Sequence, residues 1–192
     1  VGCGFSGIVT YSFIGRDACD QLLLHGQDPR RRLVSILNPL TEEQTVMRSS
    51  LLPGLLATMY GNSKQQNNDL KIFELGKVFL NLPPADQDQL PEEIEMISGL
   101  WTGARQVRTW YSKETRVDFY DIKGVVEVVC SGLNISGIRF TPLAGPDFPY
   151  LRPGYGAQIH AGEEMLGALG ELSEEVLKNF GLKQAACCFD LN

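Results

Sequence analysis

Between Asp118 and Leu133 the apolar residues Ile122, Val125, Val126, Val129, Cys130 and Leu133 recur at the three- and four-residue steps of a helix, and no other feature restricts the fold as strongly. Valine loses side-chain freedom against the preceding helical turn, so a helix this rich in it is poor in isolation. Packing on a sheet has to supply its stability. Asp118 caps its start, and Gly132 can end it.

The sheet's strands can be read on either side. Gly7 to Ile14 is β-branched and aromatic, and Leu33 to Leu37 reads as a second strand stopped by Asn38-Pro39. Leu70 to Leu75 and Lys77 to Leu80 form two runs hinged at Gly76, and Ile94 to Thr102 continues the pattern. Further strands fall at Ile138–Thr141, Ala157–His160, Met165–Leu169 and Ala186–Leu191, with Gly162-Glu163-Glu164 as a turn. A short helix is expected over Asp17 to Leu24. A longer one is expected over Ser50 to Gln65, with Leu52, Leu55, Leu56, Met59 and Tyr60 on one face and Ser49 or Ser50 as its cap. Ser173 heads a last short helix, Glu174 to Phe180.

Helices do not alternate with strands, so the expected class is α+β with a largely antiparallel sheet. The 192 residues suit a single core, with a possible internal boundary in the proline-rich, acidic stretch 82–93. No apolar run approaches the roughly 18 residues of a membrane helix. The chain opens on Val1-Gly2-Cys3 and reads as a piece of something longer. Five cysteines with no CxxC pair fit a reducing cytosol, and two histidines without metal-ligand spacing argue against a metal site.

Net charge of −6 disfavours independent binding of nucleic acid, which needs Lys and Arg against phosphate. Arg30-Arg31-Arg32 reads as a solvated turn, or as a phosphate contact within a larger assembly. Trp101, Arg105, Arg108 and Trp110 interleave aromatics and cations as RNA-stacking sites do, but a half-buried strand and a solvated turn explain them equally well. Asp118 and Asp121 read as a helix cap rather than a paired acidic site, and His160 as a strand residue rather than a base. There is no P-loop and no nucleophile elbow.

Three stretches go further: Asn38-Pro39-Leu40 followed by Leu51-Leu52-Pro53-Gly54-Leu55-Leu56, then Ile72 to Phe79 (IFELGKVF), then Asp118 to Val126 (DFYDIKGVV). With TYSF at Thr10 to Phe13 and LGALGEL at Leu166 to Leu172, this order resembles the core of the β subunit of bacterial phenylalanyl-tRNA synthetase over nearly the whole chain. The resemblance implies a class II aminoacyl-tRNA synthetase-like antiparallel sheet flanked by helices. An active domain of that kind holds the ATP α-phosphate with a motif-2 arginine and the triphosphate with a motif-3 GxGxxR segment, because phosphoryl charge must meet fixed cations. Here Leu80 follows Phe79 where that arginine would stand, and GxGxxR is absent from the sequence. Lys77 and Lys123 are the cations that remain. Arg152-Pro153-Gly154 replaces a usual HPG, and Ser173-Glu174 replaces the HP of GELHP.

The implied role is a non-catalytic core that packs against a catalytic α subunit in an (αβ)₂ assembly charging tRNA(Phe) in the cytoplasm. ATP and magnesium belong to the whole enzyme, and this chain carries no catalytic, cofactor or metal residue of its own. Arg48 and Leu51 are the candidate subunit-interface positions. The alternative is a free-standing ligase that activates an amino acid with ATP. A tRNA-binding module is a third reading, opposed by the net charge.

Overall fold

A computed structural model of the protein describes residues 3–39, 41, 44–81, 90–106, 110–111, 115–143 and 145–192. In chain order the elements are β1 (Ser6–Gly7), β2 (Phe13–Ile14), α1 (Ala18–Gln21), β3 (Val46–Met47), α2 (Leu52–Lys64), β4 (Leu70–Leu80) and β5 (Glu92–Thr102). There follow β6 (Ala104–Gln106), β7 (Thr115–Arg116), α3 (Phe119–Gly132), β8 (Ile138–Pro142), β9 (Leu151–Ala161), β10 (Glu164–Leu172), α4 (Glu174–Asn179) and β11 (Ala186–Leu191). Seven strands form one sheet in the order β1-β4-β5-β11-β10-β9-β8. Its pairs are antiparallel except β1 with β4. Two small ribbons, β2 with β3 and β6 with β7, complete the described strands.

Side chains alternate across the sheet, so each strand feeds two cores. From β11, Cys188 points to a core built with Leu52, Leu55, Leu56 and Met59 of α2, while Cys187 and Phe189 point to one built with Ile122, Val125 and Val126 of α3. The valine-rich helix therefore gets its stability as its sequence requires, by lying on the sheet. Each large side chain so buried contributes about 1.5–3 kcal/mol. At the start of α3 Asp118 accepts from the Tyr120 and Asp121 backbone N–H groups while the Asp121 carboxylate accepts from the Asp118 N–H, a complete capping box. Ser173 caps α4 through the Val176 N–H. Ser50 lies one residue before the N-cap of α2, Leu51, and its hydroxyl accepts from the Leu52 N–H at 3.2 Å.

Three expectations are corrected. Gly7 to Ile14 is not one strand: after the Ile8 N–H bonds the Phe73 carbonyl, the Thr10 N–H is taken by the Glu74 side chain and the ladder stops. Leu33 to Leu37 contributes only an isolated bridge, Ser35 with Val46. Gly76 is no hinge, because β4 pairs with β5 without a break from Leu70↔Thr102 to Leu80↔Glu92. Glycine stands there because a Cβ would strike the Arg48 guanidinium, which crosses the strand. Of the loop-like stretch 82–93, residues 82–89 lie outside the described residues, and Glu92 and Glu93 already belong to β5.

Candidate functional site

The sheet face under α2 carries a row of polar side chains that strand alternation forces inward. Glu74 on β4 is the register partner of Ser98 on β5, and Ser98 is the partner of Asp190 on β11. All three are buried. A buried charge without a partner is costly, and each carboxylate here has donors. Glu74 Oε1 accepts from Arg48 Nη1 at 2.6 Å and from the Thr10 N–H at 3.1 Å, while its Oε2 accepts from the Thr10 hydroxyl at 2.7 Å. Arg48 spends a further N–H on the Lys77 carbonyl at 2.9 Å. Asp190 Oδ1 accepts from the Ser98 hydroxyl, and Oδ2 accepts from the Tyr150 hydroxyl at 2.7 Å. Burial first, then the neighbouring Asp190 charge, holds the Tyr150 phenol well above its ordinary pKa.

Arg30 closes the other end of the row. Its guanidinium centre lies 5.6 Å from the Tyr150 ring centre and 5.9 Å from that of Phe148. It also forms an ion pair with Asp28 at 2.7 Å and donates to the Asp147 carbonyl. Burial alone would raise the Asp28 pKa, but the hydrogen bonds and charge of Arg30 outweigh it, and the carboxyl is lowered. Arg31 donates twice to the Leu24 carbonyl and pairs with Asp20. The basic run is therefore tied into the fold at Arg30 and Arg31 rather than being a freely solvated turn.

Leu80 lies on this same face, since it shares the parity of Leu70, Ile72 and Glu74 along β4. Several cations near and beyond it are engaged, whereas Arg32, whose carbonyl accepts from the Asn81 N–H beside Leu80, is exposed. Lys77 bonds Glu93 at 2.7 Å on the surface, and Lys123 bonds Glu127 at 2.9 Å. Arg152 bonds Glu171 at 3.0 Å and lies over the Tyr155 ring. Arg48 and Leu51, expected at an interface, are 5% and 0% exposed, so both are interior positions of this chain. Trp101 is buried with Lys71 over its ring, Arg105 pairs with Asp121, Trp110 is exposed, and Arg108 lies outside the described residues. His160 is a partly buried strand residue opposite Met165.

The polar row was within reach of the sequence. Glu74 and Asp190 each interrupt the otherwise apolar residues at the parity of their strand that faces the core, and a carboxylate there requires a buried partner. Arg48, Thr10 and Tyr150 carry no such local signal. They come from 26, 64 and 40 positions away along the chain.

Chemically the row is self-neutralising: each guanidinium is spent on a carboxylate, and each carboxylate on donors from the same chain. A phosphate or carboxylate ligand would need those cations facing an open cleft.

The whole chain, residues 1–192, matches a family model described as the phenylalanyl tRNA synthetase beta chain CLM domain. It is 39% identical over 192 residues to the phenylalanine–tRNA ligase beta subunit of Geobacter sulfurreducens, and 42% identical over 191 residues to that of Syntrophus aciditrophicus. Both alignments take in 100% of this chain and 23% of the relative, so the chain spans about a quarter of the length of these curated proteins. Among solved structures it is similar to pyrrolysyl-tRNA synthetase from Desulfitobacterium hafniense, with a TM-score of 0.70 at 14% identity over 98% of this chain and 60% of that one. That likeness establishes the class II synthetase-like fold alone.

Proposed function

Because the chain belongs to the phenylalanyl-tRNA synthetase β-chain family, we propose that it is a non-catalytic, synthetase-like core that supports a catalytic α subunit in the ATP-dependent charging of tRNA(Phe). Within an (αβ)₂ assembly in the cytoplasm, α would perform the chemistry and this core would present a rigid surface to it. tRNA, ATP and magnesium would be bound through the whole enzyme. Among the described residues no helix is long and apolar enough to cross a membrane.

The observation that carries the proposal is the state of the sheet face on which Leu80 stands. Where the resemblance places a phosphate-gripping arginine, the strand carries a leucine, and the buried guanidinium on that face, Arg48, is locked onto Glu74. Adenylate formation needs fixed cations at the developing charge. The residues present do not fit a nucleotide triphosphate with its magnesium. Arg48 and Leu51 would act on a partner indirectly, by holding the start of α2 and the segment before it in place.

The test is to delete the region equivalent to residues 1–192 from a full-length β subunit and mix the remainder with α. Loss of both assembly and charging is expected. An α subunit that stays stable and fully active would overturn the proposal. Pyrophosphate exchange by the isolated chain would favour a free-standing ligase instead.

A further inference from the structure

The helix α3 covers only part of its side of the sheet. It lies over β10 and β11 and leaves the same face of β4 and β5 open. Leu75 in β4 is 69% exposed, and Val128 on the near flank of α3 is 53% exposed. Between them runs a groove of about 410 Å³, with Phe73, Leu75 and Ile97 as its floor and Val125, Val128 and Val129 as one wall. No charged side chain lines it among the described residues.

The open face has the dimensions of one more helix. Two strands about 4.8 Å apart present roughly 10 Å of sheet, the width of a helix with its side chains. Along α3 the groove runs from Val125 to Gly132, about 10 Å of axis or two turns. A helix lying there would sit beside α3 at about the 8–10 Å spacing of packed helices. It would need one apolar stripe, toward the groove, and could be polar elsewhere. A small polar ligand would find no group in these walls to orient it.

The surroundings of the groove favour an occupant from the same polypeptide. Cys3 and Phe5 stand in its wall, and the Phe5 ring is fixed there with its centre 5.8 Å from that of Trp101 and 6.4 Å from that of Phe189. Polypeptide joined to Val1 is thereby led into the groove. The alignments take in 23% of each curated relative, so most of a β subunit lies outside this stretch. A segment tethered this closely meets the groove at an effective concentration on the order of millimolar, which a separate chain seldom matches.

We propose that this groove is the seat of an amphipathic helix of the same β polypeptide, supplied by the segment that adjoins Val1. The exposed Leu75 and Val128 are then interior residues of the longer chain, and α3 is packed on two sides, against the sheet and against that helix. The inference concerns one chain and stands apart from the division of labour with α.

Photo-cross-linking in a full-length β subunit assembled with α tests it. p-Benzoylphenylalanine is placed at position 75 and, in a second variant, at position 128; both native side chains are exposed in this structure, so neither replacement enters the core. Irradiation should give a product with the mass of a single β chain, in which mass spectrometry joins either position to the segment before Val1. The same probe in place of Tyr120, which is 76% exposed and lies outside the groove, should give no link to that segment. A link from position 75 or 128 to α, to a second β chain or to residues beyond Asn192 would overturn the proposal, as would no link from either position.

Discussion

Replacing Arg48 by methionine removes the guanidinium but keeps a long apolar stem. Its side chain is 6% exposed and that of Glu74 is 1% exposed, so the carboxylate would be left in the interior with Thr10 as its remaining donor. Taking one member from a buried ion pair costs about 3–5 kcal/mol, because the other charge stays desolvated. In a domain of this size each kcal/mol moves the melting midpoint by roughly 2–4 °C, so Arg48→Met should lower it by roughly 6–20 °C. Glu74→Met should fall in the same range for the mirror-image reason. The double variant carries no stranded charge and should be more stable than either single variant by about 2 kcal/mol. Urea unfolding of the four proteins measures the cycle. A single-variant loss below about 1 kcal/mol, or costs that add in the double variant, would refute the closed, self-neutralising row.

Three further outcomes are expected. Asp28→Asn should cost about 1.5–3 kcal/mol at neutral pH by breaking the Arg30 bonds; because the folded Asp28 pKa is lowered, that contribution exists above the unfolded value near 4 and fades as pH falls through the folded one. Urea midpoints of the two proteins should therefore converge below about pH 4, and a constant gap would count against the pairing. Burial raises the pKa values of Cys19, Cys130, Cys187, Cys188 and Tyr150, so the native state keeps protons that the unfolded chain gives up, and stability should decline with rising pH above about 8.5; a flat profile to pH 10.5 would contradict those burials. Gly167→Ala should cost more than about 3 kcal/mol, since its φ is +149° and a Cβ would overlap the Asp190 carbonyl oxygen, whereas Gly124→Ala in open space on α3 should gain about 0.5–1 kcal/mol, as calorimetry of the pair would show.

What could be read from the sequence was what local chemistry decides. The period of Ile122, Val125, Val126 and Val129 fixed a helix that had to lie on a sheet, and Asp118 fixed where it starts. The run Ala186 to Leu191 was read as a strand with both its ends in the observed places. What failed was decided by distant residues. Thr10 leaves the ladder because Glu74, 64 positions away, captures its N–H. Gly76 looked like a hinge because the Arg48 side chain that excludes a Cβ there belongs to another segment. For Arg48 and Leu51, candidate interface positions in the sequence, nothing beside them in the chain states which face is exposed, and their burial is a property of the assembled fold.

The most direct test of a non-catalytic core is a thermal melt of this chain with and without magnesium-ATP and phenylalanine at millimolar concentration. A ligand held at 100 times its Kd adds about 2.7 kcal/mol, which raises the midpoint by roughly 5–10 °C in a domain of this size. A sheet face closed by Arg48, Glu74, Ser98 and Asp190 predicts no shift. A rise of several degrees would mean that the face opens to bind nucleotide or amino acid, and the free-standing ligase would replace the supporting core.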